Sequence, residues 1–173
     1  MMKFIKSLDW AVFTFFRVLA VGLLCLLFVL MSLNVILRFY PVFSIGWFDE
    51  IVELSFAWMV FATAAILWRG RKHPKIDFLE ILLKETRCQP VLLAVVEVIN
   101  ILFLSIFTYY GFMLVMTAAA TSPIFKIPRK IFYVAMPTAG VYMTILSVIF
   151  LAGYLRKIVA FESTTTQPVE KSV

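Results

Sequence analysis

The chain has 173 residues, of which 63% are hydrophobic and only 15% are charged, and its mean hydropathy is +1.00. Soluble domains are about 45–50% apolar and about 25% charged, so this composition excludes an ordinary soluble protein. Because a helix needs about 20 apolar residues to cross a bilayer, four crossings would leave no room for a separate catalytic domain. The net charge of +6 is concentrated in the connections, which indicates membrane orientation rather than binding of nucleic acid.

Four long apolar segments, each bounded by charged or aromatic residues, predict four transmembrane helices. They cover about residues 10–37, 47–68, 91–122 and 131–155. The third is longer than one crossing requires, so we expect it to tilt or to end in non-helical backbone near Thr121, Ser122 and Pro123. None shows the alternation of a β-barrel strand. The sequence therefore predicts an all-α integral membrane protein in which residues 1–161 form a single four-helix domain.

Two further segments are not membrane spans. On a helix drawn over residues 76–87, one face carries four charged residues: Asp77, Glu80, Lys84 and Arg87. This pattern predicts a short amphipathic helix lying along the membrane surface, with a short solvated loop as the alternative. Residues 162–173 have no apolar pattern and are expected to form a disordered tail.

The positions of Lys and Arg in the connections predict the orientation. With four spans, one side of the membrane holds eleven of these residues. The other side holds four: Arg38, Lys126, Arg129 and Lys130. Since positive charge is retained on the cytoplasmic side, both termini are expected in the cytoplasm.

Charged residues inside a span are expected to be paired, because an unpaired charge in hydrocarbon is costly. Arg17 and Glu97 lie at similar depths from the inner boundary, so we predict an ion pair between them. In the alternative, Arg17 reaches the lipid headgroups while Glu97 is protonated or faces a partner subunit. Glu53 lies near the outer boundary, too far from Glu97 to share a proton, which argues against a catalytic pair of carboxylates.

At the outer side, Arg38 ends the first helix while Asp49 and Glu50 begin the second. Asp49 is expected to complement the dipole at the helix start. Arg38 and Glu50 are expected either to tie this helical hairpin together or to contact a partner.

Aromatic and basic residues near the span ends are expected to anchor the chain at the lipid headgroups. These interfacial anchors are Trp10, Trp47, Trp68, Arg69, Arg71, Lys72 and His73. His73 is the only histidine and lies among cations, so headgroup contact or capping is favoured over metal binding. With two cysteines as the other strong ligands, no metal or other cofactor is expected.

Pro137 and Gly140 interrupt the fourth apolar segment. Discontinuous helices build substrate sites in many transporters, but this chain has no second, symmetry-related interruption. Helix packing or a groove for a partner is therefore favoured at this point.

Several short strings resemble the small membrane subunit of tripartite ATP-independent periplasmic (TRAP) transporters, the DctQ family. They are residues 34–39, Trp47 to Glu50, residues 71–79, and Ile127-Pro128 followed by Tyr133, Pro137 and Gly140. Together they extend over residues 34–140 in the order and spacing of the family. The whole chain is most similar to the sialic-acid branch, although no single residue supports that branch physically.

The resemblance implies a four-helix accessory subunit of the bacterial inner membrane that associates with a large membrane subunit and a periplasmic substrate-binding protein. In this family the large subunit carries the substrate and sodium sites, and the small subunit extends the static scaffold. The substrates are organic acids such as C4-dicarboxylates or sialic acid. The alternative is a self-contained four-helix exporter that uses Glu53 or Glu97 as its proton carrier, but both acids are too shallow for that role. An enzyme is not expected, because the chain lacks a nucleophile, metal cluster or phosphate-binding motif.

Overall fold

The computed structural model of the chain describes residues 2–39, 46–71 and 89–165. These residues form the helices α1 (Met2–Phe39), α2 (Phe48–Arg69), α3 (Gln89–Thr117), α4 (Lys130–Tyr133) and α5 (Ala135–Thr165). Segments long and apolar enough to cross a membrane run over Asp9–Phe39, Phe48–Arg69, Gln89–Thr117 and Lys130–Ile158. The prediction of an all-α protein with four spans is confirmed. The predicted surface helix over residues 76–87 lies outside the described residues, as do Lys72 and His73.

The first span is long for a membrane helix. Residues 2–39 contain no proline and one glycine, so nothing in the sequence stops the helix. The span of 31 residues extends about 46 Å at 1.5 Å per residue, whereas the hydrocarbon core is about 30 Å thick. We therefore expect α1 to cross the bilayer at a tilt.

The helices pack in the order α1, α2, α5, α3, so that α1 and α3 lie at opposite edges of the described bundle. A cluster of buried side chains joins the four long helices α1, α2, α3 and α5. Its members are Phe16, Ala20, Ala62, Ala65, Leu104, Ala139 and Met143. Small side chains dominate this cluster because, in lipid, helices associate by close packing and gain little from the hydrophobic effect. This order decides which charged residues can meet.

Two glycines allow α3 and α5 to approach each other closely. A Cβ atom added to Gly140 would overlap the hydroxyl of Thr108 on α3, and one added to Gly111 would lie 2.9 Å from the Sδ atom of Met136. A larger residue at Gly140 would require Thr108 or the helices to shift, whereas at Gly111 the flexible side chain of Met136 would have to move. At Gly140 the structure therefore shows a packing contact between helices.

A single residue, Val134, separates α4 from α5. A proline within a helix clashes with the carbonyl group four residues earlier, and for Pro137 that residue is Tyr133, the last of α4. The hydroxyl of Thr138 donates back to the carbonyl oxygens of Val134 at 2.8 Å and Ala135 at 2.9 Å, a local bond that often accompanies a bend in a helix. The interruption of the fourth span thus follows from Pro137.

Two helix ends differ from the bounds expected from the sequence. α3 ends at Thr117, and the backbone is non-helical from 118 to 129, where Thr121 and Pro128 form an antiparallel bridge. α5 continues to Thr165, past the expected start of the tail at 162. Residues 156–165 contain no glycine or proline, and a helix already begun is extended at little cost.

Candidate functional site

The charged side chains of the described residues are grouped at the two ends of the bundle. The N-terminal end is where α1 begins and α2 ends, and the loop end, opposite to it, holds residues 118–129. At the N-terminal end, Arg69 donates to Oδ2 of Asp9 through Nε at 3.0 Å and Nη2 at 2.8 Å. The hydroxyl of Tyr142 donates to Oδ1 of Asp9 at 2.9 Å. One carboxylate therefore joins α1, α2 and α5.

A second carboxylate at the same end joins α3 to the residues that follow α2. Glu97 is only 7% exposed, and its Oε1 atom accepts a hydrogen bond from Nη2 of Arg71 at 2.6 Å. The Arg71 guanidinium also lies 4.0 Å from the ring centroid of Phe150 and 4.9 Å from that of Tyr154, and it donates to the Tyr154 hydroxyl. Arg71 adopts a left-handed backbone conformation, with φ of 52°. An ion pair with two cation–π contacts thus fixes α3 to α5 and to the end of α2.

The structure pairs Glu97 with Arg71 and not with Arg17, so the predicted Arg17 to Glu97 pair is wrong. Glu97 is held at the N-terminal end of the bundle by Arg71, whereas Arg17 lies eight residues beyond Asp9, about 12 Å further along α1, and α1 and α3 are not neighbours. Arg17 is exposed on α1, and within the described chain no hydrogen bond or ion pair involves it.

At the loop end, the carboxylate of Glu50 holds the tip of the 118–129 loop. Glu50 is 6% exposed and accepts hydrogen bonds from the backbone N–H of Ile124 at 2.6 Å and of Phe125 at 3.0 Å. Two successive N–H groups in a turn form a concave donor site that suits the two oxygens of a carboxylate. Glu50 therefore fixes the loop to the first turn of α2.

The loop is also closed internally. Ser122 is buried, and its backbone N–H donates to the carbonyl oxygen of Ile127 at 2.8 Å, while its Oγ accepts from the N–H of Ile127 at 3.0 Å. The N–H of Arg129 donates to the carbonyl oxygen of Ala120 at 3.0 Å. These bonds form a short hairpin whose tip is presented to Glu50.

Of the two alternatives for Arg38 and Glu50, the structure does not form the pair that would tie the hairpin together. Both oxygens of Glu50 are occupied by backbone donors of the loop, and Arg38 is exposed at the end of α1. Matching charged side chains in the sequence does not find these bonds, because the donors are backbone N–H groups whose direction depends on the loop conformation.

Two further bonds connect α2 to the last residue of the loop and to the start of α4. Arg129 forms an ion pair with Glu53 in the second turn of α2. One helical turn further on, the indole N–H of Trp58 donates to the carbonyl oxygen of Ile131 at 3.0 Å. The start of α4 is therefore held along the half of α2 that is nearer the loop end.

Of the residues predicted as interfacial anchors, Trp10 and Trp47 are exposed at opposite ends of the bundle. Trp47 packs against Phe125, with 6.3 Å between the centroids of the two rings. Trp68 instead points inward, because its indole N–H donates to the buried hydroxyl of Ser147 at 2.9 Å. The two predicted arginine anchors belong to the carboxylate pairs described above.

Four members of these clusters were not predicted from the sequence: Asp9, Tyr142, Ser122 and Arg129. Asp9 carried a usable signal, since it is an acid at the start of the first span, level with the arginine that ends the antiparallel second helix. The contacts of Tyr142 and Ser122 have no comparable signal in the sequence, because they depend on helix order and loop conformation.

These clusters suit a structural role. In the described part of the chain, Asp9, Glu53 and Glu97 are each bonded to an arginine and Glu50 to backbone donors. Each bond joins elements far apart in the sequence, at one end of the bundle or the other. Within the same residues, no group of three or more His, Cys, Asp and Glu side chains is placed to hold a metal ion.

Comparison with known families identifies the chain. The family described as tripartite ATP-independent periplasmic transporters, DctQ component, matches residues 27–157, a region that includes Glu50, Arg71, Glu97 and Arg129. No individual curated protein gives a match. The family is one of transporter membrane components, in agreement with the four spans. The chain therefore belongs to the DctQ family and is a small membrane component of a TRAP transporter, a multi-pass protein of the inner membrane.

Proposed function

We propose that the chain is the static scaffold subunit of a sodium-coupled TRAP transporter. It acts with a large membrane subunit, which carries the substrate, and with a periplasmic substrate-binding protein. The imported compound is an organic acid of the C4-dicarboxylate or sialic-acid type. Membership of the DctQ family supports the assignment to a tripartite transporter.

The observation that carries the scaffold role is the use of the acidic side chains. A group that carries protons or cations has to exchange its partner in every transport cycle. Here the buried carboxylates Glu50 and Glu97 hold separate elements together, Glu50 through two backbone donors and Glu97 through a stacked arginine. Releasing either one would loosen the bundle, so neither is suited to be a carrier.

The proposed orientation places both termini in the cytoplasm and the loop end in the periplasm. The N-terminal end of the bundle carries six cations among the described residues, Lys3, Lys6, Arg69, Arg71, Arg156 and Lys157, and the undescribed connection after α2 adds more. Positive charge of this kind is retained on the cytoplasmic side. The loop held by Glu50 would then face the periplasmic partner.

Reconstitution tests this function. Proteoliposomes would contain the chain alone, the chain with the large TRAP membrane subunit of the same organism, or both with the binding protein, and uptake of labelled sialic acid and succinate would be measured. Uptake is expected only with the complete set and only with an inward sodium gradient. Net proton-driven movement with the chain alone, abolished by Glu53→Gln or Glu97→Gln, would instead establish a self-contained exporter.

A further inference from the structure

Two adjacent tyrosines lie on the exposed side of α3. Tyr109 is 65% exposed and Tyr110 is 62% exposed, and their rings contact each other with centroids 5.4 Å apart. α3 is at one edge of the bundle, where it packs on α4 and α5. Neither hydroxyl takes part in a hydrogen bond within the described part of the chain. This edge of the bundle therefore presents two hydroxyl groups outward.

Both tyrosines lie near the middle of the membrane. Phe107, just before them in α3, packs against Phe61 of α2, with 6.0 Å between the ring centroids. Phe61 lies about 20 Å from the start of α2 and about 12 Å from its end, at 1.5 Å per residue. Tyr109 and Tyr110 follow Phe107 in the direction of the start of α2, which places them close to the midpoint of that helix. Since α2 is about as long as the hydrocarbon core is thick, this is the mid-depth of the bilayer.

At this depth the hydroxyls have nothing in lipid to bind. A tyrosine side chain does not reach across the remaining half of the core, about 15 Å, to the headgroups, and acyl chains contain no acceptor. A threonine within a span can donate to its own helix, as Thr144 does to the carbonyl oxygen of Gly140 at 2.8 Å. A tyrosine hydroxyl is held at the far side of a ring, away from its own backbone. Because an unpaired hydroxyl in an apolar medium is costly, Tyr109 and Tyr110 require acceptors.

The rest of the chain is poorly placed to supply them. Residues 72–88 join two described residues at the N-terminal end and include seven charged residues, which would have to enter the hydrocarbon to reach mid-depth. Residues 40–45 connect α1 to α2 at the loop end, and six residues are too few to extend about 15 Å into the membrane and return. Residues 166–173 follow α5, which ends at the N-terminal end. The acceptors are therefore expected on another molecule.

The opposite edge of the bundle has the composition that lipid alone requires. Over residues 18–31 of α1, no side chain contains a nitrogen or oxygen atom. Lipid can solvate such a surface completely, so α1 gives no indication of a protein partner. α3 differs because it carries Tyr109 and Tyr110 at mid-depth. In membranes, helices are commonly joined by hydrogen bonds between polar side chains, so these hydroxyls favour a protein over acyl chains as the neighbour of α3.

We infer that the tyrosine edge of α3, which consists of the exposed residues Ser105, Tyr109, Tyr110 and Met113, packs against a transmembrane segment of the large membrane subunit that presents hydrogen-bond acceptors at mid-depth. Suitable acceptors are the side-chain oxygens of Asn, Gln, Asp or Glu, or the free carbonyls of an interrupted helix. α3 is held in place for this contact by its close packing on α5. The inference rests on the proposed function, because it names the surface through which the scaffold binds the large subunit.

Removal of the two hydroxyls tests the hydrogen bonds. The labelled chain would be titrated with the purified large TRAP membrane subunit of the same organism in mixed micelles of detergent and lipid, and the apparent Kd measured. Tyr109→Phe combined with Tyr110→Phe keeps both rings and is expected to weaken binding about tenfold. Tyr133→Phe, which removes a hydroxyl from α4, is the matched control and should bind normally. The double variant should have the melting temperature of the unmodified chain when isolated, because its missing hydroxyls are not bonded within the described bundle.

Photo-cross-linking tests the edge itself. A benzophenone amino acid, which resembles tyrosine in shape, would replace Tyr109 or Tyr110 in cells that also produce the large subunit. Phe28, 73% exposed on α1, is the matched control at the opposite edge. Cross-links to the large subunit are expected from at least one of the two tyrosine positions, and cross-links to lipid from Phe28.

Three results would overturn the inference alone: an unchanged Kd of the double tyrosine variant, a lower melting temperature of that variant as an isolated chain, or cross-links from both tyrosine positions only to lipid or to a second copy of the chain. The second result would show that the acceptors lie within the chain. If the unmodified chain does not bind the large subunit, the proposed function fails and this inference fails with it.

Discussion

The carboxylate of Glu97 accepts a 2.6 Å hydrogen bond from the guanidinium of Arg71, which itself makes cation–π contacts with Phe150 and Tyr154. Glu97 lies in the third turn of α3, and Arg71 lies just after the end of α2. The pair therefore joins the end of α2 to α3 at the N-terminal end of the bundle. A buried carboxylate in this position is a structural element, and its removal should be measurable as lost stability.

Arg71→Ala should destabilise the isolated subunit, because it leaves the Glu97 carboxylate buried without a counter-charge. Breaking a buried pair costs about 3–5 kcal/mol. Since the Arg71 side chain is 32% exposed, we expect about 2 kcal/mol, or a fall of about 4–8 °C in the melting temperature. Thermal unfolding followed by size-exclusion chromatography measures this. Arg17→Ala should leave the melting temperature unchanged, and a fall equal to that of Arg71→Ala would contradict the observed pairing.

Glu50→Gln should loosen the tip of the 118–129 loop, because a neutral amide has only one oxygen to accept from two N–H groups. Hydrogen bonds to charged groups contribute about 1.5–3 kcal/mol, so amide exchange at Ile124 and Phe125 should accelerate roughly ten- to a hundredfold. Hydrogen–deuterium exchange with mass spectrometry reports on this segment. Asp49→Asn, the exposed neighbouring acid, is the control, and equal exchange in the two variants would exclude the assigned role of Glu50.

Gly140→Ala should destabilise the protein, because the new methyl group overlaps the Thr108 hydroxyl at the contact of α3 with α5. Overpacking of this kind costs about 1–3 kcal/mol. Gly153→Ala, in the same helix, has no atom within 4 Å of the new Cβ and should be neutral or slightly stabilising. Melting temperatures of the two variants are compared directly. If Gly140→Ala is as stable as Gly153→Ala, these helices are further apart than described.

The orientation is tested by labelling single cysteines in intact spheroplasts. With Cys25 and Cys88 replaced by serine, Lys126→Cys should react with a membrane-impermeant maleimide added outside inner-membrane spheroplasts, because the loop end is proposed to face the periplasm. Lys157→Cys should react only after the membrane is permeabilised. The reverse pattern would invert the proposed topology and place the Glu50 loop in the cytoplasm.

The helix that follows the loop shows what can be anticipated from single residues. Pro137 was recognised as an interruption because proline removes a backbone donor and clashes with a carbonyl whatever surrounds it. The partner of Gly140 was not predictable, since any of the other helices could have packed there. Its contact with Thr108 follows from the pairing of α3 with α5.

The sequence by itself determined the four spans, because in lipid each helix satisfies its own backbone hydrogen bonds, so apolar length alone identifies a crossing. It also determined which charges lie at each end. The tertiary structure decided which of them meet: Glu97 is bonded to Arg71 at the end of α2, and α1, which carries Arg17, is at the far edge of the bundle from α3. The depth of a residue depends only on its position along one helix. Its partner depends on the order in which the helices pack. An apolar helix face can pack against several neighbours, and the complete set of small-residue contacts selects one order.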